Sequence, residues 1–166
     1  AHIDDGEQGE IWIAGNKIID RFDEATQIWQ TPIDISDYVS NVGQIIAIEQ
    51  DSNSYVWIGT TNAGVIRLRN YDAAYEGTVS GLSSTHVSAL AFDPNTDFLV
   101  VGHTESGISI IDTNALTLVD TLTTSDGLDS DYVADIATRY GIAYIATPDA
   151  GVMRVELSTS AIIGSW

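Results

Sequence analysis

The stretch IAIEQDSNSYVWIGTTNAGVIRL, residues 46–68, contains three short apolar runs. The runs are rich in Ile, Val, Trp and Tyr, the β-branched and aromatic residues that suit a pleated strand. An acidic turn, DSNS (51–54), separates the first two runs, and a loop that ends at Gly64 separates the second from the third. Asp, Asn, Ser and Gly are the usual turn formers. The stretch therefore predicts three consecutive antiparallel strands.

The middle run of this stretch recurs along the whole chain. Its four versions are EIWIAG (10–15), YVWIGT (55–60), FLVVGH (98–103) and IAYIAT (142–147). They begin 45, 43 and 44 residues apart. A period of about 44 residues, with several short strands in each unit, is typical of a β-propeller blade.

Three other segments repeat with the same spacing. The next run appears as IDRF (19–22), VIRL (65–68), ISII (108–111) and VMRV (152–155). Eleven residues after these runs come Ile33, Val79, Leu122 and Trp166. Ahead of three of the middle runs lie IIAIEQD (45–51), VSALAFD (87–93) and VADIAT (133–138). Each unit thus holds four segments, which predicts four strands.

The repeats predict an all-β fold with one propeller-like domain over residues 1–166. The units are roughly 1–40, 41–84, 85–130 and 131–166, each a four-stranded antiparallel blade. The inner strands at 45–48, 87–91 and 133–137 are expected to be among the most buried segments, because neighbouring strands cover both of their faces. The aromatic position shared by Trp12, Trp57 and Tyr144 is expected to pack between blades.

How the ring closes is left open by the sequence. The first unit has only Ala1-His2-Ile3 where the others have a full inner strand. The four blades could form a small toroid, or they could be part of a larger propeller. An unclosed array would leave strand edges and a blade face uncovered, which favours self-association or flanking blades.

The charge balance excludes several partners. The chain has 24 acidic residues against six basic ones, for a net charge of −18. Nucleic acid is therefore excluded, since phosphate contacts need clustered Lys and Arg. No apolar stretch approaches the ~20 residues of a membrane span. There is no cysteine, so disulfide and thiolate chemistry are excluded as well.

The residues also carry a family resemblance. SGLSSTHVSALAFD (80–93) and DGLDSDYVADIA (126–137) resemble the opening of the two-component-regulator propeller repeat, and the quoted stretch 46–68 resembles its continuation through W-I-G-T to R-L. The third and fourth units depart from that pattern at Val100 and Tyr144. The resemblance implies propeller blades of extracytoplasmic sensor or surface proteins, with motif residues that are structural rather than catalytic.

No catalytic constellation is predicted. Two histidines at unaligned repeat positions, His86 and His103, do not form the converging set that zinc or general-base chemistry needs. The acidic turns supply oxygen atoms that calcium accepts, with Asp51, Asp93 and Asp97 as the candidate ligands. Side-chain to backbone bonding within a turn explains the same residues without a metal. No cofactor is therefore expected, with calcium as the one alternative.

One end of the ring is the expected binding face. The connections that lead into inner strands and the loops between second and third strands share that end in a propeller. The residues placed there are Asp37, Tyr38, Asn62, His86, His103, Glu105, Asp131, Tyr132 and Asp149. Their acidic and aromatic character would suit a cationic protein partner or a carbohydrate.

The resulting functional prediction is a non-catalytic binding or scaffold module of a secreted or cell-surface protein, of the kind used for recognition in sensors. One alternative is a structural subunit of an extracellular assembly, built through strand-edge or blade-face contacts. The other is a propeller lyase or glycosidase that works in the central funnel.

Overall fold

The computed structural model describes residues 2–5, 9–70 and 72–166, which fold into four antiparallel sheets. Sheet 1 contains β1 to β5, which are His2–Asp5, Glu10–Gly15, Ile18–Asp23, Ile28–Trp29 and Ile33–Asp34. Sheet 2 contains β6 to β9, which are Ile45–Gln50, Tyr55–Thr60, Val65–Arg69 and Tyr75–Thr78. Sheet 3 contains β10 to β13, which are Val87–Asp93, Phe98–His103, Ile108–Asp112 and Thr117–Leu122. Sheet 4 contains β14 to β17, which are Asp135–Arg139, Ile142–Thr147, Gly151–Glu156 and Ala161–Ser165.

In sheets 2 to 4 the strands pair in the order in which the chain makes them, and in sheet 1 the same holds from β1 to β4. This meander confirms the predicted four-stranded antiparallel units. Because neighbouring strands run in opposite directions, the loops alternate between the two ends of each sheet. The connections to the next inner strand and the loops between second and third strands therefore lie at one end, which we call the loop face. The turns at 51–54 and 24–27 lie at the opposite end.

Sheet 1 differs from the sequence prediction in two ways. The expectation that its inner strand is mostly missing is wrong, because β1 pairs with β2 from His2 opposite Ile13 to Asp5 opposite Glu10. Ala1, which that expectation also used, lies outside the described residues. The outer strand is divided into β4 and β5, which both pair with β3.

Helical structure is confined to two single 3₁₀ turns, Ile35–Asp37 and Thr124–Asp126, in the part of the chain that the structure describes. Both belong to connections between sheets. Within residues 2–5, 9–70 and 72–166, no helix has the length and apolar character needed to cross a membrane.

In the described part of the chain the core lies between the sheets, in three hydrophobic clusters. One joins sheets 1 and 2 around Trp12 and Ile58, one joins sheets 2 and 3 around Trp57 and Val101, and one joins sheets 3 and 4 around Ile145. Side chains alternate along each second strand, because successive residues of a strand point to opposite faces. Trp57 therefore packs toward sheet 3 and Ile58 toward sheet 1.

Small residues in the second strands let neighbouring sheets approach. A Cβ atom at Gly59 would lie 2.7 Å from Cγ1 of Val87, and one at Gly102 would lie 2.6 Å from Cγ1 of Val133. In each case the valine lies just ahead of, or at the start of, the next inner strand. The glycines are thus needed where the next sheet inserts a branched side chain.

The four sheets form an open arc. Sheets 1 and 4 share none of the extensive strand contacts that join neighbouring sheets among the described residues. Three clusters for four sheets agree with this, since a closed ring of four would need four. The burial prediction is only half right for two of the inner strands. In 45–48, Ile45 and Ile48 are buried but Ile46 is 38% exposed at a β-bulge. In 133–137, Val133 and Ile136 are buried, but Asp135 and Ala137 are exposed because no sheet covers that side.

Gly107 is expected to be among the least replaceable glycines of the loop face. Its φ is +63°, and an added Cβ atom would overlap the Leu122 carbonyl oxygen, which is backbone and cannot rotate away. Gly107→Ala should therefore lower the free energy of unfolding by about 2 kcal/mol or more. Urea denaturation measures this. Gly15→Ala is the matched control, because nothing lies within 4 Å of its added methyl group; an equal loss in both variants would contradict the steric explanation.

Candidate functional site on the loop face

The loop face is held together by backbone hydrogen bonds between loops of neighbouring sheets. The Gly64 amide donates to the Thr85 carbonyl (3.0 Å), and the Gly107 amide donates to the Asp131 carbonyl (2.9 Å). Each bond joins a loop between second and third strands to the connection that enters the next sheet. Loops fixed in this way present their side chains in a defined arrangement, as a preformed site requires.

One concavity of this face is a cavity of about 370 Å³ at sheet 3. It is lined by Ser84, His86, Thr104, Glu105 and Ser106. The first two come from the connection before β10, and the others come from the loop after β11. Every lining residue is polar, and the one acidic side chain is that of the exposed Glu105. The cavity can therefore accept hydrogen bonds from, and attract, a cationic or hydroxyl-rich group.

The local structure explains how these residues are held. The Ser84 Oγ accepts a hydrogen bond from the His86 amide (3.0 Å), a short side-chain to backbone bond that shapes the turn. The Thr104 amide donates to the His86 carbonyl (3.4 Å), which links the two loops. His86 and Glu105 are thus brought into one cavity, as the sequence-based placement on one face requires.

A second, shallower depression of about 300 Å³ lies at sheet 4 and is lined by Tyr132, Pro148 and Asp149. The ring of Tyr132 is half-exposed. An aromatic ring beside a carboxylate can stack on a planar cationic group. The structure therefore places Tyr132 and Asp149 together, although in a different depression from His86 and Glu105.

The His103 side chain is buried beneath the loop face and does not line the cavity, so its assignment to the binding site is wrong. Its side chain is fully buried, and its Nε2 lies 2.9 Å from the Ser109 Oγ, which in turn lies 3.2 Å from the Ser83 Oγ. Burial lowers the pKa of His103 to about 4, so the imidazole is neutral at neutral pH. At the same repeat position Thr60 and Thr147 bond to the backbone of their own loops. His103 instead bonds to a side chain of the third strand of its own sheet, so it too makes its contact within the sheet.

The remaining predicted residues lie apart from the cavity. Tyr38 stacks on Tyr75 of an outer strand, with ring centroids 5.6 Å apart. Asp131 uses its carboxylate to accept from the Thr124 amide (2.7 Å) and hydroxyl, so it braces the connection. Asp37 is exposed at the end of the first 3₁₀ turn, and Asn62 is exposed in its loop.

Two of the three calcium candidates, Asp51 and Asp93, have carboxylates that are engaged in turns, whereas the contact recorded for Asp97 is from the Thr113 amide to its backbone carbonyl (3.1 Å). Asp51 accepts from the Asn53 and Tyr55 amides and from Trp57 Nε1, at 2.8–2.9 Å. Asp93 accepts from its own turn and, at 3.0 Å, from the Gly141 amide of the next sheet. A cation at either carboxylate would have to displace these donors. No cluster of three or more His, Cys, Asp or Glu side chains able to hold a metal occurs among the residues the structure covers. Calcium binding stays a prediction.

Sequence reasoning missed Ser84, Thr104, Ser106 and Pro148. Each lies within two residues of a residue that was predicted, in the same loop. Extending the predicted positions to their loop neighbours would have found them.

Comparison with known proteins supports the blade assignment. Residues 40–62 match the model of the family described as "Two component regulator propeller". This confirms the resemblance inferred from the repeat. No curated protein sequence matches the chain.

Solved structures show the same fold at low sequence identity. The RRP9 WD40 repeats superpose with a TM-score of 0.81 at 16% identity, covering 98% of this chain and 49% of that one. Sqt1 from Saccharomyces cerevisiae gives 0.79 at 15% identity, covering 97% and 46%. The extracellular domain of a hybrid two component system from B. thetaiotaomicron gives 0.75 at 16% identity, covering 96% and 23%. The chain spans about half the length of the WD40 structures, so its four sheets have the geometry of consecutive blades in a larger β-propeller rather than of a four-bladed toroid.

Proposed function

We propose that the chain is a non-catalytic recognition module that binds a basic protein segment on its loop face. The match of residues 40–62 to the two component regulator propeller family supports the propeller-module part of this proposal. The observation that carries the proposal is the polar cavity between His86 and Glu105, which is built from two loops fixed to each other. Propellers of the WD40 kind are generally interaction modules, and the fold is shared with them.

The charge of the chain supports a cationic partner. A net charge of −18 produces a negative field that attracts basic segments and accelerates their association. The cavity at sheet 3 adds one carboxylate, an imidazole and three hydroxyl groups as specific acceptors. Lysine or arginine side chains supply several donors and no acceptor, so they match this lining.

We further propose that the module works outside the cytoplasm, as part of a secreted or surface protein. Two observations support this location: the match to the regulator propeller family and the fold shared with an extracellular domain of a two component system. A sensor role would follow if the loop face transmits binding to neighbouring domains.

Binding of basic peptides tests the proposal directly. Fluorescence anisotropy with labelled peptides should show that Lys- and Arg-containing sequences bind and acidic ones do not. Glu105→Gln and His86→Ala should each weaken binding by about 3- to 10-fold, the loss expected for an exposed charged hydrogen bond. Glu24→Gln is the matched control, since Glu24 is an exposed carboxylate at the opposite end of the sheets.

Two outcomes would contradict this function. Equal weakening by Glu24→Gln and Glu105→Gln would mean that the peptides respond only to net charge. Binding of neutral oligosaccharides, with none of basic peptides, would assign the cavity to carbohydrate instead.

A further inference from the structure

An arginine recurs at one position on the third strand of three sheets. Arg21, Arg67 and Arg154 each stack on an aromatic ring of their own sheet. The Nε atom of each is buried and has no hydrogen-bond partner among the described residues. Stacking covers the plane of a guanidinium group but leaves the N–H donors at its edge without acceptors.

Arg67 is held firmly but its donors are poorly matched. Its guanidinium carbon lies 4.1 Å from the ring centroid of Tyr55 and 5.6 Å from that of Trp57. Its side chain is only 11% exposed, and its Nη2 atom lies 3.8 Å from Oε2 of Glu76. That distance is too long for a hydrogen bond. Because a buried guanidinium without acceptors costs free energy, the group is suited to an acceptor that comes from outside the chain.

A cavity of about 70 Å³ lies beside this guanidinium, where β9 of sheet 2 faces the turn that precedes β13 of sheet 3. One ordered water needs roughly 10–15 Å³ of such space, so the cavity can hold a small organic group. Its polar lining includes Arg67, Glu76, Thr78 and Ser80, and its apolar lining includes Trp57 and Leu116. We call this space the Arg67 cavity.

The pairing of β8 with β9 explains why this space is open. Gly77 lies directly across from Arg67, and no atom lies within 4 Å of a Cβ atom built on it. The register shifts between Arg67 and Leu68, so Glu76 is the extra residue of a β-bulge, a feature that redirects a side chain.

Sheet 4 has the same Arg–Gly pair without the same space. Gly164 lies across from Arg154, but a Cβ atom on Gly164 would lie 3.0 Å from Arg154 Nη2. That nitrogen donates to the Ile163 carbonyl at 3.3 Å. The guanidinium of Arg154 therefore fills the space beside its glycine and finds a backbone acceptor, whereas that of Arg67 does neither.

We propose that the Arg67 cavity binds the head group of a small α-amino acid, with its carboxylate on the Arg67 guanidinium and its ammonium on the Glu76 carboxylate. A guanidinium edge matches the two oxygens of a carboxylate, and an ammonium supplies donors that a carboxylate accepts. The two protein groups lie side by side, as do the two charged groups of an amino acid, which are separated by one carbon. Trp57 and Leu116 offer apolar contact to a short side chain.

Charge favours a zwitterion over a simple ion. Glu76 and the net charge of −18 repel an anion, and a simple cation would leave the guanidinium without an acceptor. A neutral zwitterion satisfies both groups. Arg69 lies 3.3 Å from Glu76 and binds Asp72 through two hydrogen bonds of 3.0 and 2.8 Å, so it helps to hold the Glu76 carboxylate in place.

Titration with L-alanine, followed by ¹H–¹⁵N NMR, tests the site. Saturable shifts are expected for the amides of Gly77 and Thr78 and for the Arg67 Nε–H. Acetate and methylammonium, compared at constant ionic strength, should each bind at least about tenfold more weakly, because each lacks one of the two charged contacts.

Variants of the arginine assign the carboxylate contact. Arg67→Met should weaken alanine binding by roughly 10- to 100-fold, the loss expected for charged hydrogen bonds. Arg67→Lys keeps the charge but not the planar edge, so it should also weaken binding, by about tenfold. Arg21→Met is the matched control, since it removes a stacked, ion-paired arginine at the same position of sheet 1. It should leave the alanine affinity unchanged.

Glu76→Gln tests the ammonium contact and keeps the proposal testable if Arg67→Met does not fold. It should weaken alanine binding by about tenfold and at the same time strengthen acetate binding, because it removes a repulsive carboxylate. Glu105→Gln should not affect alanine, so this site and the loop-face site can fail independently. The proposal would be overturned by the absence of saturable shifts, by acetate binding as tightly as alanine, or by equal losses in Arg21→Met and Arg67→Met.

Discussion

Replacing Trp57 with alanine is expected to lower the free energy of unfolding by about 3–5 kcal/mol, the range for removing a large buried aromatic side chain. The indole is fully buried between sheets 2 and 3 and donates from Nε1 to Asp51 Oδ2 at 2.9 Å. Its loss leaves a cavity and also leaves a buried carboxylate oxygen without that donor, which adds to the cost. The Arg67 guanidinium, 5.6 Å from the ring centroid, loses a cation–π contact as well.

Chemical denaturation of the variant measures this loss. Trp57→Phe should recover part of the packing but not the hydrogen bond, so its stability should lie between those of the wild type and the alanine variant. Tyr132→Ala is the control, because a half-exposed ring on the loop face should change stability by less than about 0.5 kcal/mol. A loss for Trp57→Ala no larger than that of Tyr132→Ala would show that the sheet interface does not depend on the indole.

The second large effect concerns the pH dependence of the free energy of unfolding, to which Glu49 and His103 contribute in opposite directions. Burial raises the pKa of Glu49 from 4.5 to about 7, so the unfolded chain loses this proton at lower pH than the folded one. The stabilisation that the protonated Glu49 contributes is therefore fully present below pH 4.5, and it is lost as the pH rises through 7. Glu49→Gln should stabilise the protein at pH 8 by about 3 kcal/mol, the value for a shift of this size.

His103 acts in the opposite direction. Burial lowers its pKa from 6.5 to about 4, so the unfolded chain binds a proton before the folded chain does as the pH falls. Stability is therefore lost between pH 6.5 and pH 4, again by about 3 kcal/mol over the full window. Between about pH 4.5 and 6.5 the two slopes oppose each other, and in the wild type they should largely cancel.

Single variants should separate the two opposing pH dependences of the free energy of unfolding. In Glu49→Gln, stability should rise with pH between 4 and 6.5, because only the histidine effect remains. In His103→Thr, which installs the residue found at this position in sheets 2 and 4, stability should fall with pH between 4.5 and 7. Thermal melts across this range measure both slopes. Parallel profiles for the wild type and both variants would mean that neither group titrates abnormally.

The candidate site was predicted only in part, and the reason lies in side-chain direction. The repeat register correctly indicated which loops share one end of the sheets, and His86 and Glu105 do line one cavity there. The register could not show that His103 turns inward to Ser109 or that Tyr38 stacks on Tyr75. Those contacts join residues from different strands and sheets, and no local pattern encodes them.

The sequence by itself determined the blade: its four strands, their order and the alternation of side chains along them. These follow from β-branched runs with a two-residue period and from turn residues at fixed spacing, which act over a few neighbouring residues. Only the tertiary structure decided that the blades form an open arc, which faces stay uncovered, and that Ile13 and Trp166 are exposed while their equivalents are buried. The physical reason is that burial in a repeat protein depends on whether a neighbouring unit is present. Residues at identical repeat positions therefore have identical local signals and different surroundings.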